Sequence, residues 1–179
     1  RVEGIIKQVQ KNQETGEIAA LLLEDGQLIE GDLFIDCTGF RSLLLGESLG
    51  VEFDDWSHWL ASDRAIAVQT TATEEPPPYT RAIAHPAGWQ WRIPLQTRVG
   101  NGIVYSSRFM SDDEARETLV SNLTGDMITD PRFIKYRTGS RQKSWHKNCV
   151  ALGLSSGFIE PLESTSIHLV MTAIIRLIR

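Results

Sequence analysis

The chain has 179 residues, 41% of them apolar and 23% charged, with a formal net charge of −5. That describes a soluble globular protein with room for a sizeable core, and its acidic balance gives no electrostatic case for nucleic acid or an anionic membrane surface. No secretory signal is visible, and the C-terminal apolar run, residues 167–178, is too short to cross a bilayer.

Residues 1–9 alternate toward a strand, and Asn12-Gln13-Glu14-Thr15-Gly16 reads as a turn. Glu17 to Leu23 is a second strand, Glu24-Asp25-Gly26 a second turn, and Gln27 to Ile29 a short third run. This meander leads into Leu33 to Cys37, expected as a buried strand, after which Thr38-Gly39 lets the backbone turn close to something. Taken alone, Asp-Cys-Thr-Gly is also an ordinary strand end. Leu43 to Leu49 forms a short helix ended by Gly50.

Asp63 to Gln69 reads as a strand, Glu74-Glu75-Pro76-Pro77-Pro78 as a rigid surface loop, and Tyr79 to His85 as another strand. In Gly88 to Leu95, Trp89, Trp91 and Ile93 recur at period two, so one face carries two indoles. On its own this is a core strand rich in aromatics. Gly102 to Arg108 pairs with it across a Gln96–Asn101 turn, which makes a second, larger antiparallel sheet. Ser111-Asp112-Asp113-Glu114 starts a helix whose apolar stripe is Ala115, Leu119, Val120 and Leu123. Residues 132–139 are strand-like, and Gly139 to Trp145 reads as a basic, solvated turn.

Cys149 onward begins as an apolar run short enough for a buried strand. A loop follows, with Gly157 freest to turn and Pro161 fixing one φ. Glu163-Ser164-Thr165-Ser166 then precedes the apolar segment Ile167 to Ile178, as a helix start does. Free amides and the positive end of a helix dipole would converge there, a ready site for an anion. Such a unit occurs in almost any α/β protein, so spacing leaves both readings open. Cys37 and Cys149 lie in apolar runs and read as buried free thiols, which suits a reducing cytoplasm. Neither end has a terminus-like polar tail, and the chain reads as an internal fragment of a longer protein.

Three segments in chain order resemble the flavin-dependent tryptophan halogenases: Asp-Leu-Phe-Ile-Asp-Cys-Thr-Gly-Phe-Arg (residues 32–41), Trp-x-Trp-x-Ile-Pro (Trp89 to Pro94), and Gly-Phe-Ile-Glu-Pro-Leu-Glu-Ser-Thr (Gly157 to Thr165). The likeness runs across essentially the whole chain. Related flavin monooxygenases typically end their last strand in Gly-Asp, where this chain has Gly153-Leu154, again halogenase-like. The resemblance implies an α/β architecture, α+β within this chain, from a FAD flavoprotein with two dinucleotide-binding domains. Residues 1–42 would belong to the FAD-binding region, 60–145 to a substrate-side sheet and helix, and 146–179 to the return into the FAD-binding region.

The same resemblance implies a chemistry. Reduced FAD, supplied by a separate flavin reductase, reacts with oxygen to a flavin hydroperoxide, chloride or bromide yields hypohalous acid, and a lysine passes the halogen to an electron-rich ring, tryptophan or another indole. Glu163 would be the catalytic carboxylate that stabilises the cationic ring and takes its proton. Its bland alternative is a first-turn glutamate favoured by the helix dipole. Val2, Thr38, Gly39, Leu154, Gly157 and Ile167 would contact FAD. Thr165 and Ser166 would hold the halide through their amides, although Gly is frequent in the family where Ser166 stands. Trp89, Trp91, Pro94, Pro161 and Ser164 would shape the passage between flavin and substrate.

No metal ligand is assigned, and neither nucleic acid nor membrane is expected as a partner. A homodimer is the expected assembly. The chain has no Gly-x-Gly-x-x-Gly phosphate loop, and none of Lys7, Lys11, Lys135, Lys143 or Lys147 matches the context of the family's catalytic lysine. The piece alone is therefore expected to bind FAD poorly and to halogenate nothing. The alternative activity is a flavin monooxygenase or reductase-type relative without halogenation.

Overall fold

The computed structural model of the chain describes residues 1–162 and 164–179. These residues form two compact units, Arg1–Trp56 with Gly139–Arg179, and Ser57–Thr138.

The first unit opens with an antiparallel meander of β1 (Ile6–Lys11), β2 (Ile18–Leu23) and β3 (Leu28–Glu30). The strand expected over 1–9 starts only at Ile6, which pairs with Leu23, the last residue of β2. Beyond that pair the Ile5 carbonyl still accepts from Glu24 N at 3.0 Å, but there the partner chain turns away and residues 1–5 stay exposed. Next comes β4 (Phe34–Asp36), three residues at the edge of a sheet. The expectation of a buried strand over Leu33–Cys37 fails here: Phe34 and Asp36 point inward, while Leu33, Ile35 and Cys37 are exposed by the period of two. A π-helical turn, Leu43–Ser48, and β5 (Phe53–Asp55) complete this half.

The second unit is one antiparallel sheet with a helix. Its strands are β6 (Arg64–Thr71), β7 (Arg81–His85), β8 (Gly88–Pro94), β9 (Arg98–Tyr105) and, after helix α1 (Asp112–Ser121), β10 (Arg132–Lys135). They lie in the order β10-β6-β9-β8-β7. β8 and β9 pair as the sequence suggests, but the turn is tighter than Gln96–Asn101: Leu95 N donates to Arg98 O at 2.8 Å, and Val99, Gly100 and Asn101 are already on the ladder. α1 starts with a capping box in which the Ser111 hydroxyl accepts from Glu114 N at 3.2 Å and Glu114 accepts from Ser111 N at 2.8 Å. Its Ala115 and Leu119 pack on Ile66, Val68, Ile103 and Tyr105 of the sheet.

The chain then returns to the first unit through β11 (Gly139–Arg141), β12 (Trp145–His146), β13 (Cys149–Ala151), β14 (Gly157–Phe158) and α2 (Thr165–Leu177). β13 runs parallel to β4 and antiparallel to β12, and its Cys149 and Ala151 join Ile18, Phe34, Leu44, Leu45 and Val51 in the unit's core. The stretch read as a solvated basic turn begins with β11, the central strand of a sheet ordered β14-β11-β5. Gly157 makes this pairing possible. A Cβ there would lie 2.5 Å from the Gly139 carbonyl oxygen and 2.8 Å from Ser140 Cα. The Arg141 side chain is drawn inward as well, donating to Val51 O at 2.8 Å and lying 5.4 Å from the centre of the Phe53 ring.

Candidate functional site

In the first unit, the adjacent parallel strands β4 and β13 end side by side, and each runs straight into a 3₁₀ turn, Gly39–Arg41 and Gly153–Ser155. The two turns pack against each other, and α2 packs on the second. Ligands of open α/β sheets bind at the carboxyl ends of such strands. The structure thus brings together Thr38, Gly39, Leu154, Gly157 and the first turn of α2 with Thr165, Ser166 and Ile167. Phe40 meets Phe158 edge to face at 5.5 Å, which ties the first turn to β14.

The surface so formed is open backbone and apolar side chain. Gly39 has φ +73°, and nothing lies within 4 Å of where its Cβ would stand. Leu154 is 38% and Ile167 65% exposed. Val2 lies in the exposed segment before β1. Ser164 precedes α2 in the left-handed conformation, φ 54°, and its hydroxyl makes no capping bond, contrary to what a run of hydroxyl residues suggests. Pro161 is half-buried and Ser164 exposed. Glu163, the expected carboxylate, lies outside the described residues.

Behind α2 a pocket of about 90 Å³ is lined by Trp56, Ser140, Gly157, Phe158, Ser166 and Val170, among others. The Ser166 Oγ is buried there without a hydrogen-bond partner. Besides its amide, Ser166 thus offers a side-chain hydroxyl as a second donor at the start of the helix.

Asp36, at the end of β4, was not singled out from the sequence. It is fully buried. Its carboxylate accepts from Thr38 N at 3.0 Å, Thr38 Oγ1 at 2.6 Å, Leu44 N at 3.0 Å and Leu45 N at 2.8 Å. Burial pushes its pKa up, but the hydrogen bonds from Thr38, Leu45 and Leu44 outweigh that and hold it below the usual carboxylate value. The neighbouring Cys149 thiol is pushed up to about 12 by burial and by the charge of Asp36, so it stays an inert thiol. Only the Asx-like spacing of Asp36 and Thr38 hints at this cluster in the sequence.

The second unit carries the paired indoles. Trp89 and Trp91 are half-buried on one face of β8, their ring centroids 5.9 Å apart at 56°. The floor beneath them is small: Ala84 and Ala82 stand opposite them on β7, and Gly102 opposite Trp91 on β9. A Cβ on Gly102 would run into the Trp91 ring and the Ile66 carbonyl. Pro94 closes the same strand. On the other face Gln90 is buried, with its Oε1 3.3 Å from His85 Nε2. Also in this unit, Tyr105 donates to Asp112 at 2.7 Å, and burial raises its pKa well above the ordinary value.

Among the described residues no group of three or more His, Cys, Asp or Glu side chains is arranged to hold a metal ion, and no helix is long and apolar enough to cross a membrane.

The family model described as tryptophan halogenase matches residues 1–179. Tryptophan 6-halogenase SttH from Streptomyces toxytricini is 44% identical over 174 residues, which is 94% of this chain and 33% of that protein. Among solved structures, Xcc4156, a flavin-dependent halogenase from Xanthomonas campestris, superposes with a TM-score of 0.97 at 57% identity over 99% of this chain and 36% of its own. BrvH, a flavin-dependent halogenase from Brevundimonas sp. BAL3, does so with a TM-score of 0.95 at 53% identity over the same shares. The chain thus spans about a third of the length of the proteins it matches.

Proposed function

This chain belongs to the tryptophan halogenase family, and from that premise we propose that the protein containing it halogenates an electron-rich ring, tryptophan or another indole, using FAD and chloride or bromide. The observation that carries the reading is the convergence in the first unit of two strand-end turns and a helix start on one open face.

That face fits a flavin. The open backbone at Gly39 admits a planar ring at close range, and exposed Leu154 and Ile167 offer it apolar contact. On this reading Thr38, Gly39, Leu154, Gly157 and Ile167 hold FAD, with Val2 on the adenine side. Reduced by a separate flavin reductase, the cofactor supplies the electrons that activate dioxygen.

The chain's own residues would do the rest. The amides of Thr165 and Ser166 hold the halide at the positive end of α2, where no competing cation is needed. Glu163 stabilises the positive charge that develops on the attacked ring and accepts its proton. Ser164 positions the lysine that carries the halogen. Trp89, Trp91, Pro94 and Pro161 wall the passage, so that organic substrate is kept from the flavin and oxygen goes to halide. Residues 1–42 and 146–179 serve the cofactor and 60–145 the substrate side, in a cytoplasmic homodimer.

The test is the full-length protein with a flavin reductase, FAD, chloride or bromide, and a panel of indoles, read by mass. Monohalogenated product supports the proposal. Hydroxylated product without halogen supports a monooxygenase instead.

A further inference from the structure

Among the described residues, Asp36 is the only carboxylate-bearing residue that is fully buried, and no cation pairs with it. A charge in such a place is held by hydrogen bonds or not at all. Every bond it accepts comes from one short segment. Oδ1 takes the amide and hydroxyl of Thr38, and Oδ2 takes the amides of Leu44 and Leu45, with the Ser42 hydroxyl at 3.4 Å. The Thr38 hydroxyl in turn accepts from Leu43 N at 2.7 Å, so it is engaged internally on both sides. Between these grips sits Ser42, fully buried and in the left-handed conformation, φ 49°. An L-residue rarely adopts that geometry unless its surroundings impose it. The main chain of Asp36 reaches the other strand end too, because its carbonyl accepts from Leu152 N at 3.0 Å, just before the Gly153–Ser155 turn.

We propose that Asp36 is the positioning residue of the cofactor site: its carboxylate clamps the Thr38-Gly39 turn, and its carbonyl fixes the start of the Gly153 turn, so that both strand ends are set before FAD arrives. The proposal rests on the reading of these turns as the FAD face. Asp36 does not touch the cofactor. It acts through the backbone that does, and an unclamped turn would have to be ordered by the cofactor at a cost in affinity.

The full-length apoprotein is titrated with FAD by flavin fluorescence, and its melting temperature is recorded in parallel. Asp36→Asn keeps the shape but turns an NH₂ toward amide donors, and it should weaken FAD binding about tenfold or more. Leu45→Ala is the comparator: it empties part of the same core without altering the carboxylate, and at a similar loss of melting temperature it should change FAD affinity far less. Thr38→Val, which keeps volume but cuts the link from carboxylate to Leu43, should weaken binding in the same direction even should Asp36→Asn not fold, and Thr38→Ser should restore it. FAD affinity within twofold of the parent in both Asp36→Asn and Thr38→Val overturns the proposal. So does an affinity loss that merely tracks the melting temperature, as in Leu45→Ala. A parent that does not bind FAD overturns the functional reading and this inference together.

Discussion

Gly102 offers a direct handle on the paired indoles. Replacing it by alanine adds one methyl group that would enter the Trp91 ring and the Ile66 carbonyl on the neighbouring strand. A side chain can rotate away from such a contact, but a carbonyl in the middle of the β6–β9 ladder cannot move without breaking it. Overpacking of this kind costs about 1–3 kcal/mol, and in a unit of the size of Ser57–Thr138 each kcal/mol lowers the melting temperature by roughly 4–8 °C. Trp91 would also leave its seat, so the coupling between two rings now 5.9 Å apart at 56° should change in near-ultraviolet circular dichroism. Thermal unfolding and the indole spectrum of Gly102→Ala are the assay. Adding Trp91→Phe should recover part of the stability, because a smaller ring leaves room for the methyl group while the Ile66 carbonyl stays in place. An unchanged melting temperature and an unchanged indole spectrum in Gly102→Ala would refute the reasoning.

Other outcomes follow from the same geometry. Gly157→Ala should detach β14 from β11, since its methyl group has no place between Gly139 O and Ser140, and amide exchange at Ser140 and Phe158 should accelerate. Leu119→Ala, at a fully buried position against the larger sheet, should cost about 2–5 kcal/mol in denaturant unfolding. Acid should expose the role of Asp36. Its pKa in the folded state lies below the ordinary 3.8, so its contribution is present above that value and is lost as pH falls through the lower, folded one. Melting temperature should therefore drop more steeply below about pH 4 in the parent than in Asp36→Asn.

What could be read from the sequence depended on whether the signal was local. The period-two run around Trp89 and the Ser111–Glu114 cap carry their own instructions, and β8 and α1 formed where those residues stood, whereas β9 starts at Arg98 rather than Gly102 because the turn before it closes between Leu95 and Arg98. β11 was missed because three residues give no usable period and its partners, β5 and β14, lie far off in sequence. Cys37 and Leu33 looked buried because an apolar run does not reveal that its strand stands at a sheet edge. Ser164 has the right hydroxyl for a cap, yet a left-handed backbone turns it away. In the candidate site, the glycine turns and the helix start were legible as words of a family. Asp36 was not, because the amides that hold it belong to Leu44 and Leu45, whose letters say nothing about hydrogen bonding.

On the proposed reading Glu163 serves the attacked ring and the amides of Thr165 and Ser166 serve the halide, so losing the acid should cost halogenation and spare flavin turnover. The most direct measurement compares full-length parent with Glu163→Gln, each supplied with reductase, FAD, bromide and tryptophan. Products are read by mass, and FAD binding and consumption of reduced nicotinamide are followed alongside. The account predicts the paired bromine isotope signal in the parent, and in Glu163→Gln retained FAD binding and nicotinamide consumption with brominated product reduced by about a hundredfold or more. Bromination by the variant at the parent's rate, or a hydroxylated product from the parent, would contradict it.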